Sequence, residues 1–429
     1  MFCGGCLRDN ALVSGLRQLG HQTVMVPLYL PLTLDEMDES RGTPIFFSGI
    51  NVYLEQNSSL FRRAPAWLRN ILSAPSLLAM ASGKAAKTRP SDVGELTLSM
   101  LRGEHGNQAR DIDDLVLWLK NQEKPEIVSL SNVLLAGMAR RLKDELRVPI
   151  VCSLQGEDWF LDSMGPEHRD EAWRLLAEAA KNVDLFIAPS RYFAELMGRR
   201  MRIAPDKMRV VYNGIHLAGY EVAPMTPEPP ALGYFARMCR EKGLDLLVEA
   251  FVLLRKRGGI PNLKLKVGGS CGPADVPLVN SIKKSLDRSG LLFEVVFCPN
   301  LSLSEKQAFY RSLSMFSTPA PYGEAFGLYV IEAMAAGVPV IQPDHGAFPE
   351  LISATNGGIT CPAGKPEDLA DAIQALWDRP DHGRALGLAG RKAVENRFTV
   401  DAMSRSILEV FEEALGRRPA PASLLKTRS

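Results

Sequence analysis

The chain has 429 residues, and this length favours two domains over one. Its 50 basic and 49 acidic residues leave a formal net charge of +1, which argues against a nucleic-acid partner and against a strongly acidic one. Because no run of 18 apolar residues occurs and the first residues do not form a signal peptide, we expect a cytoplasmic protein.

The seven cysteines are scattered, and their odd number favours reduced thiols over a disulfide framework. Only Cys3 and Cys6 have C-x-x-C spacing. Because no second pair follows them, we interpret them as residues of a glycine loop rather than as a zinc or redox site. We therefore predict neither a metal site nor a cofactor.

In the first half of the chain, short Val/Ile-rich segments alternate with amphipathic segments such as "NVLLAGMARRLKDEL". This alternation predicts a parallel sheet that is covered on both faces by helices. The predicted strands are "TVMV" (Thr23–Val26), "EIVSL" (Glu126–Leu130), "PIVCSL" (Pro149–Leu154), "DLFIAP" (Asp184–Pro189) and "MRVVYNG" (Met208–Gly214).

The pattern is less regular from about residue 31 to residue 120, where "FFSGINVYLEQ" predicts a strand. The segment Leu60–Met80 carries Arg62, Arg63 and Arg69 beside apolar residues, which is typical of a membrane-surface patch. Prolines 65 and 75 interrupt this segment, so we favour an insertion that packs on the domain. A peripheral contact with the inner face of a membrane stays open.

The segment "YEVAPMTPEPPA" holds four prolines and is interpreted as an interdomain linker. After it the alternation resumes with "ALGYFA", "LDLLVEAFVLLRKRG", "LKLKVGG", "EVVFC", "MFSTPA" and "VPVIQP". We predict two α/β domains at 1–221 and 222–398, an amphipathic helix at 399–416 and a loose tail at 417–429.

The stretch "PYGEAFGLYVIEAMAAGVPVIQP" predicts a tight turn between a strand and a helix. In doubly wound sheets ligands bind at such turns, and the first amides of a helix attract phosphate. Glu324 would accept hydrogen bonds from sugar hydroxyls beside this site, and Glu332, about two turns along, would meet a ribose. The alternative is that Glu324 is merely a residue favoured by the helix dipole near a helix start, and that Glu332 lies on a solvated face. The apolar neighbours of Glu332 argue against a solvated position for that residue.

A second turn, in "GYFARMCREKGLDLLVEAF", places two cations between a strand and a helix. Arg237 and Lys242 would neutralise a diphosphate there and stabilise it as a leaving group. Alone this signal is weak, because surface lysines and arginines are common. The glutamate turn in the same half-domain strengthens it.

These residues together carry a resemblance to a known family. The chain resembles the retaining glycosyltransferases of family 4, which have the GT-B fold. The resemblance is carried by Arg237, Lys242-Gly243, Glu324 and Glu332, together with the stretch "EAFGLYVIEAMAAGVPVI". The resemblance extends to "PSRYFAELM", "RVVYNGI" and "GGCLRDNALVSGLRQLGHQTVMV", and it covers nearly the whole chain outside residues 31–120.

The resemblance implies two Rossmann-like domains that face a cleft, with a nucleotide-diphosphate-sugar donor on the C-terminal domain. Glu324, Arg237 and Lys242 would be catalytic, and Glu332 would bind the ribose. The donor would also contact the backbone amides of Phe326, Gly327 and Leu328. It further implies a metal-independent transfer that retains the anomeric configuration.

The acceptor, a glycan, lipid or small molecule, would lie on the N-terminal domain beside Gly4 and Gly5. The last helix would cross back onto that domain. We expect the backbone near Pro299–Leu301 to contact the base, so the side chains do not identify it.

The sequence departs from the family in lacking the usual histidine at an N-domain strand end. Ser131, Asn132 and Gln155 occupy the positions where an imidazole is expected. We hypothesise that Gln155, Glu157 and Asp158 line the acceptor side. A capped helix start at Glu157 and Asp158 is an equal alternative.

The chain also starts on the glycine loop itself, at "MFCGGC", although a central strand should precede that loop. We expect the N-terminal domain to lack its first strand and translation to begin upstream; the alternative is a defective domain. Two other functions stay open. One is a nucleotide-sugar epimerase of the same fold, and the other is a non-catalytic sugar-nucleotide or glycan-binding protein.

Overall fold

A computed structural model of the chain describes residues 4–28, 37–47, 52, 54–56, 61, 94–223 and 227–417. The chain divides into two compact units. The N-terminal unit comprises Gly5–Val211 and the chain from Ser404, and the C-terminal unit comprises Tyr212–Met403, with Gly4 assigned to it. The arginine-rich segment Leu60–Met80 lies outside the described residues, apart from Phe61.

The N-terminal unit is built on a parallel sheet, as the alternation of strands and helices predicts. Its described strands pair in sequence order: β1 (Val128–Leu130), β2 (Ile150–Ser153), β3 (Leu185–Ala188) and β4 (Met208–Val210). Every residue of β2 and β3 is buried, because helices cover both faces of a parallel sheet. Four of the five predicted strands of this half are therefore confirmed.

Helices connect the strands of this sheet. The α-helices of the N-terminal unit are α1 (Gly4–Gln18), α2 (Gly94–Leu101), α3 (Ala109–Trp118), α4 (Ala139–Leu146), α5 (Glu157–Asp162), α6 (Pro166–Ala179) and α7 (Arg191–Arg200). Shorter turns are 3₁₀ at Gly103–His105, Val133–Met138, Ala180–Asn182 and Pro205–Lys207, and π at Leu119–Glu123. A capped start is clearest at α7, where the Ser190 hydroxyl accepts from the Phe193 amide at 3.1 Å.

Three predictions in this unit are wrong. Thr23–Val26 is not a strand, because its carbonyls are bonded by side chains instead of by a neighbouring strand: Arg17 donates to Thr23 O at 2.8 Å and Thr43 donates to Met25 O at 2.9 Å. Within the predicted strand at 46–56, Val52 and 54–56 are helical, and 48–51 and 53 lie outside the described residues. Gly4 and Gly5 begin helix α1 rather than forming a loop.

The C-terminal unit is also built on a parallel sheet, and each strand predicted after the linker is confirmed. Its described strands are β5 (Ala231–Phe235), β6 (Lys264–Gly269), β7 (Val295–Pro299), β8 (Met315–Phe316), β9 (Val340–Pro343) and β10 (Gly358–Cys361). They lie in the order β10-β9-β8-β5-β6-β7, which is the order of doubly wound nucleotide-binding sheets. The chain reverses direction across the sheet between β5 and β8, and such a switch point is where ligands bind.

The helices of this unit include the predicted "LYVIEAMAAG" helix. They are α8 (Leu244–Arg257), α9 (Val276–Arg288), α10 (Leu303–Arg311), α11 (Leu328–Ala335), α12 (Phe348–Thr355), α13 (Pro366–Trp377) and α14 (Pro380–Arg397). Two 3₁₀ turns lie at Arg240–Lys242 and Leu292–Glu294. One core packs α8 against β5 and β6, and a second packs α11 and α12 against β8 and β9.

The chain then forms helix α15 (Val400–Ala414), and its residues from Ser404 onward belong to the N-terminal unit. There the Arg209 guanidinium of β4 donates through Nε to the Glu413 carboxylate at 2.9 Å, in a pair that is mostly buried. The N-terminal unit ends at Val211, and the C-terminal unit begins at Tyr212. The domain boundary predicted at residue 221 stays a prediction. The predicted tail lies outside the described residues from 418 onward.

Across the described part of the chain, no helix is both long enough and apolar enough to cross a lipid bilayer.

Candidate functional site

The clearest cluster of polar side chains lies at the switch point of the C-terminal sheet. Lys242 lies on the turn after β5, and Glu324 lies on the turn after β8, the neighbouring strand. The Lys242 ammonium donates to Glu324 Oε2 at 2.5 Å and to the Tyr322 hydroxyl at 2.5 Å. The Tyr329 hydroxyl donates to the same Glu324 oxygen at 2.8 Å. Residues that are 82 positions apart in the sequence thus form one hydrogen-bonded group.

Burial and charge act in opposite directions on this pair. Burial raises the pKa of Glu324, but the Lys242 charge and the hydrogen bonds from Lys242 and Tyr329 outweigh it, so the pKa lies below the ordinary value. Burial lowers the pKa of Lys242, but the charges of Glu324 and Tyr322 and their hydrogen bonds to the ammonium outweigh this effect. The pKa of Lys242 therefore lies above its ordinary value. Both groups therefore stay charged at neutral pH, although only 23% of Lys242 and 13% of Glu324 is exposed.

The backbone around Glu324 has no room for larger residues. Gly346 has φ +65°, and a Cβ there would lie 2.6 Å from the Glu324 amide nitrogen. The Ala347 amide donates to the Glu324 carbonyl at 2.9 Å, so the turn after β9 supports the glutamate turn. Gly327 has φ +93° and precedes the first residue of α11, where the chain must turn sharply.

The three predicted amide donors lie at the start of α11, but they differ in their side chains. Phe326 is 3% exposed and packs near Tyr212 and Phe398, with ring centroids 6.2 and 6.3 Å away. Its side chain therefore belongs to the core, and only its backbone is left for a ligand. Gly327 is also buried, whereas Leu328 is partly exposed.

Arg237 lies on the turn after β5, five residues before Lys242. Its guanidinium donates through Nε to Asp275 Oδ1 at 2.9 Å, and Nη2 lies 2.8 Å from the same oxygen. This hydrogen bond raises the pKa of Arg237 above its ordinary value. Asp275 is buried, whereas 42% of the Arg237 side chain is exposed.

Glu332 is not a solvated residue, so that interpretation is wrong. It accepts from the Lys306 ammonium at 3.0 Å and from the Tyr310 hydroxyl at 2.9 Å, and 13% of its side chain is exposed. Burial and the nearby Glu332 raise the pKa of Tyr310 well above its ordinary value, so the phenol stays a donor. A carboxylate with apolar neighbours needs such partners, as the sequence indicated.

In the N-terminal unit the structure brings together Gly5 and Gln155. A Cβ on Gly5 would lie 2.6 Å from Gln155 Oε1, so a side chain there would require Gln155 to move. Gln155 Nε2 donates to the Ser131 carbonyl at 2.5 Å and to the Asp9 carboxylate at 3.2 Å. Burial raises the pKa of Asp9, and Arg8, which donates to it at 2.7 Å, opposes this shift.

Glu157 has structural hydrogen bonds, but they do not form the predicted capped helix start: the N-cap of α5 is Gly156, which has no side-chain cap hydrogen bond, and the Glu157 carboxylate bonds to amides outside that helix. Oε1 accepts from the Val133 amide at 3.0 Å, at the start of a 3₁₀ turn, and Oε2 accepts from the Gln155 amide at 2.8 Å. Burial raises the pKa of Glu157 and that of the half-buried Asp158. Whether Gln155 and Asp158 contact an acceptor stays a prediction.

Several residues of these clusters were not found by sequence analysis. They are Asp9, Asp275, Lys306, Tyr310, Tyr322 and Tyr329. The two tyrosines beside Glu324 lie within five positions of it in the sequence and were a usable signal. The others are brought in by strand order and carry no local signal. Over the described residues, no three His, Cys, Asp or Glu side chains form a group that could hold a metal ion.

The fold and this site define a class of protein. Two units with parallel sheets, one of them with a charged cluster at its switch point, are the architecture of a GT-B glycosyltransferase. The solved structure of Anabaena HepE in complex with UDP has this fold, with a TM-score of 0.61 at 18% identity, covering 72% of this chain and 84% of that one. Sucrose-phosphate synthase from Thermosynechococcus elongatus has a TM-score of 0.60 at 21% identity, covering 72% and 79%.

Family comparisons narrow the class. Residues 222–393 match the family described as glycosyl transferases group 1, and residues 76–218 match glycosyltransferase family 4. The chain belongs to the GT-B glycosyltransferases of family 4.

Individual relatives are similar over different lengths. A lipopolysaccharide core biosynthesis mannosyltransferase from Rhizobium meliloti (strain 1021) is 27% identical over 44% of this chain and 54% of its own length. A D-inositol 3-phosphate glycosyltransferase from Paenarthrobacter aurescens (strain TC1) is 30% identical over 50% and 52%. The same enzyme from Segniliparus rotundus is 24% identical over 86% and 85%. The chain spans about half the length of the first two relatives.

Proposed function

We propose that this chain is a glycosyltransferase that moves a sugar from a nucleotide-diphosphate-sugar donor to an acceptor, with retention and without a metal ion. One observation carries the proposal. Lys242 and Glu324 form a mostly buried charged pair on the turns after β5 and β8, where a doubly wound sheet binds nucleotides. Arg237 lies on the same turn as Lys242, so two cations belong to this site.

The charges match the chemistry of the donor. Breaking the bond between sugar and diphosphate leaves negative charge on the departing phosphate, and fixed cations and helix amides stabilise that charge. Lys242, Arg237 and the start of α11 supply these groups. Glu324 and Tyr322 would bind sugar hydroxyls, and Glu332 would bind the ribose diol, which offers two adjacent donors.

The nucleoside and the acceptor are open within this proposal. UDP is bound in the solved structure of HepE, and a relative from Mycobacterium tuberculosis is described as GDP-mannose-dependent. The N-terminal unit, with Gln155 and Asp158, would bind a glycan, lipid or small-molecule acceptor. We propose a cytoplasmic location, where nucleotide sugars are made, with peripheral membrane contact if the acceptor is a lipid.

A thermal-shift screen with UDP-, GDP- and ADP-sugars tests the donor site. At 100 times its dissociation constant a ligand stabilises the protein by about 2.7 kcal/mol. Stabilisation by one of the three donors, followed by release of its nucleoside diphosphate when acceptors are added, supports transfer. Product NMR then reports the anomeric configuration. Absence of stabilisation by every donor would contradict the proposal, and donor isomerisation without acceptor would indicate an epimerase instead.

One observation favours a second candidate, a non-catalytic sugar-nucleotide or glycan-binding protein. Ser131, Asn132 and Gln155 occupy the positions where the resemblance to the family leads us to expect an imidazole, and the Gln155 amide is held by the Ser131 carbonyl and Asp9. Binding of a nucleotide sugar with neither hydrolysis nor transfer over a broad acceptor panel would support this candidate.

A further inference from the structure

Arg237 is held along one edge by a buried carboxylate. Its Nε and Nη2 both lie within 2.9 Å of Asp275 Oδ1. The Asp275 side chain is 3% exposed, whereas the Arg237 side chain is 42% exposed. Nη1 has no hydrogen-bond partner among the residues that the structure describes. Asp275 therefore fixes the orientation of the guanidinium through its Nε and Nη2 atoms. The Nη1 side of the guanidinium is left for a ligand.

Asp275 is itself fixed by the turn that carries it. Its second oxygen, Oδ2, accepts from the Gly272 amide at 2.9 Å, and its own amide donates to the Gly272 carbonyl at 2.9 Å. This turn, residues 270–275, follows β6, the strand next to β5. The carboxylate therefore cannot turn away from Arg237 without breaking the turn.

Asn300 holds the same turn from the next strand along. Its side chain accepts from the Cys271 amide at 3.1 Å and donates to the Cys271 carbonyl at 3.2 Å. Asn300 has φ +57°, a left-handed conformation that asparagine tolerates better than most residues. Three neighbouring turns, after β5, β6 and β7, are thereby connected into one support for the Arg237 guanidinium.

We propose that Asp275 is a positioning residue that orients Arg237 toward the leaving diphosphate, with Asn300 securing the turn on which Asp275 lies. The inference rests on the proposed function, because it assigns a role within the same donor site. A guanidinium binds phosphate best when its planar fork is held in one orientation, since less freedom is then lost on binding. The ion pair supplies that orientation.

Charge and orientation predict opposite effects for Asp275→Asn. The substitution removes a negative charge near the diphosphate, so charge alone would tighten nucleotide binding. It also weakens the hold on Arg237, so loss of orientation would weaken binding. The sign of the change therefore distinguishes a positioning residue from a mere counter-charge.

Isothermal titration of the full chain with UDP, GDP and ADP measures this sign. For the tightest of the three, we expect Asp275→Asn to weaken binding about tenfold, which corresponds to about 1.4 kcal/mol. In an Arg237→Ala background the same substitution should not weaken binding further, because nothing is left to orient. Asp371→Asn is the matched control, since it removes the partner of Arg257 from an exposed ion pair of the same unit.

Each outcome decides the inference. Unchanged or tighter binding by Asp275→Asn overturns it, and so does equal weakening in the Arg237→Ala background, which would indicate a structural role. Asn300→Ala, which leaves both charges in place, should weaken binding of inorganic pyrophosphate only when Arg237 is present, and it replaces Asp275→Asn if that variant does not fold. Pyrophosphate is the ligand for this variant because it has no base, and the backbone near Pro299–Leu301 is expected to contact the base. If the wild type binds none of the three nucleotides, the proposed function fails as well; if it binds and the variants match it, only this inference fails.

Discussion

Replacing Lys242 with methionine should destabilise the C-terminal unit by about 2–3 kcal/mol at neutral pH. The substitution keeps an unbranched side chain, one atom shorter than that of lysine, but leaves the Glu324 carboxylate, which is 13% exposed, without its cation. Removing one partner of a buried pair costs about 3–5 kcal/mol. The Tyr329 hydroxyl still donates to Glu324 at 2.8 Å, and Lys242 is 23% exposed, so we expect the lower part of that range or somewhat less.

The pH dependence of this loss is the sharper test. In the wild type the pKa of Glu324 lies below its ordinary value of 4.5, so its carboxylate stabilises the fold above that pH and the contribution is lost as the pH falls. The pKa of Lys242 is raised above its ordinary value of 10.5, so its contribution is present below that pH. The difference between wild type and Lys242→Met should therefore hold from about pH 6 to 9 and shrink as the pH falls below 4.5.

Urea denaturation followed by fluorescence at a series of pH values measures this difference. Lys264→Met is the control, because Lys264 pairs with Glu294 at 2.5 Å in the same unit, where both side chains are more exposed. That pair should contribute at most about 1 kcal/mol. A loss for Lys242→Met no larger than for the control, or one that is equal at about pH 3 and at pH 7, would refute the reasoning.

Three further predictions concern the two units. Glu332→Ala should weaken the binding of a nucleoside diphosphate about tenfold and leave the binding of inorganic pyrophosphate unchanged, because the carboxylate would contact only the ribose. Equal weakening of both ligands in calorimetry would contradict this role. Gly346→Ala should lower stability by about 1–3 kcal/mol in urea denaturation and reduce transfer, since its Cβ would lie 2.6 Å from the Glu324 amide nitrogen. Gln155→Ala and Asp158→Ala should lower the transfer rate while leaving nucleotide binding intact, and unchanged kinetics would remove them from the acceptor side.

Much of the C-terminal unit could be predicted from the sequence. Buried strands such as β5 and β9 read as short apolar runs, and α8 and α11 carry helix-period patterns between them. The segment "GITC" of β10 was not predicted, because it is short, contains glycine and threonine and has one exposed position. Its strand conformation depends on pairing with β9.

The failed prediction at Thr23–Val26 has the same physical origin. The segment is apolar enough for a strand, but a strand forms only where a neighbour offers a ladder of amides and carbonyls. Here the carbonyls of Thr23 and Met25 accept from the side chains of Arg17 and Thr43 instead. The pattern of residues in a segment indicates whether the segment is apolar, but it does not indicate whether a partner strand lies beside it.

The sequence by itself determined the residue types of the candidate donor site and their local positions: Arg237, Lys242 and Glu324 lie on turns that follow strands, and Glu332 lies in helix α11. Only the tertiary structure decided which groups meet. Lys242 reaches Glu324 because β5 and β8 are neighbours in the sheet, and Asp275 reaches Arg237 because β5 and β6 are. Local periodicity carries no information about strand order, which is set by how helices and strands bury their apolar faces together.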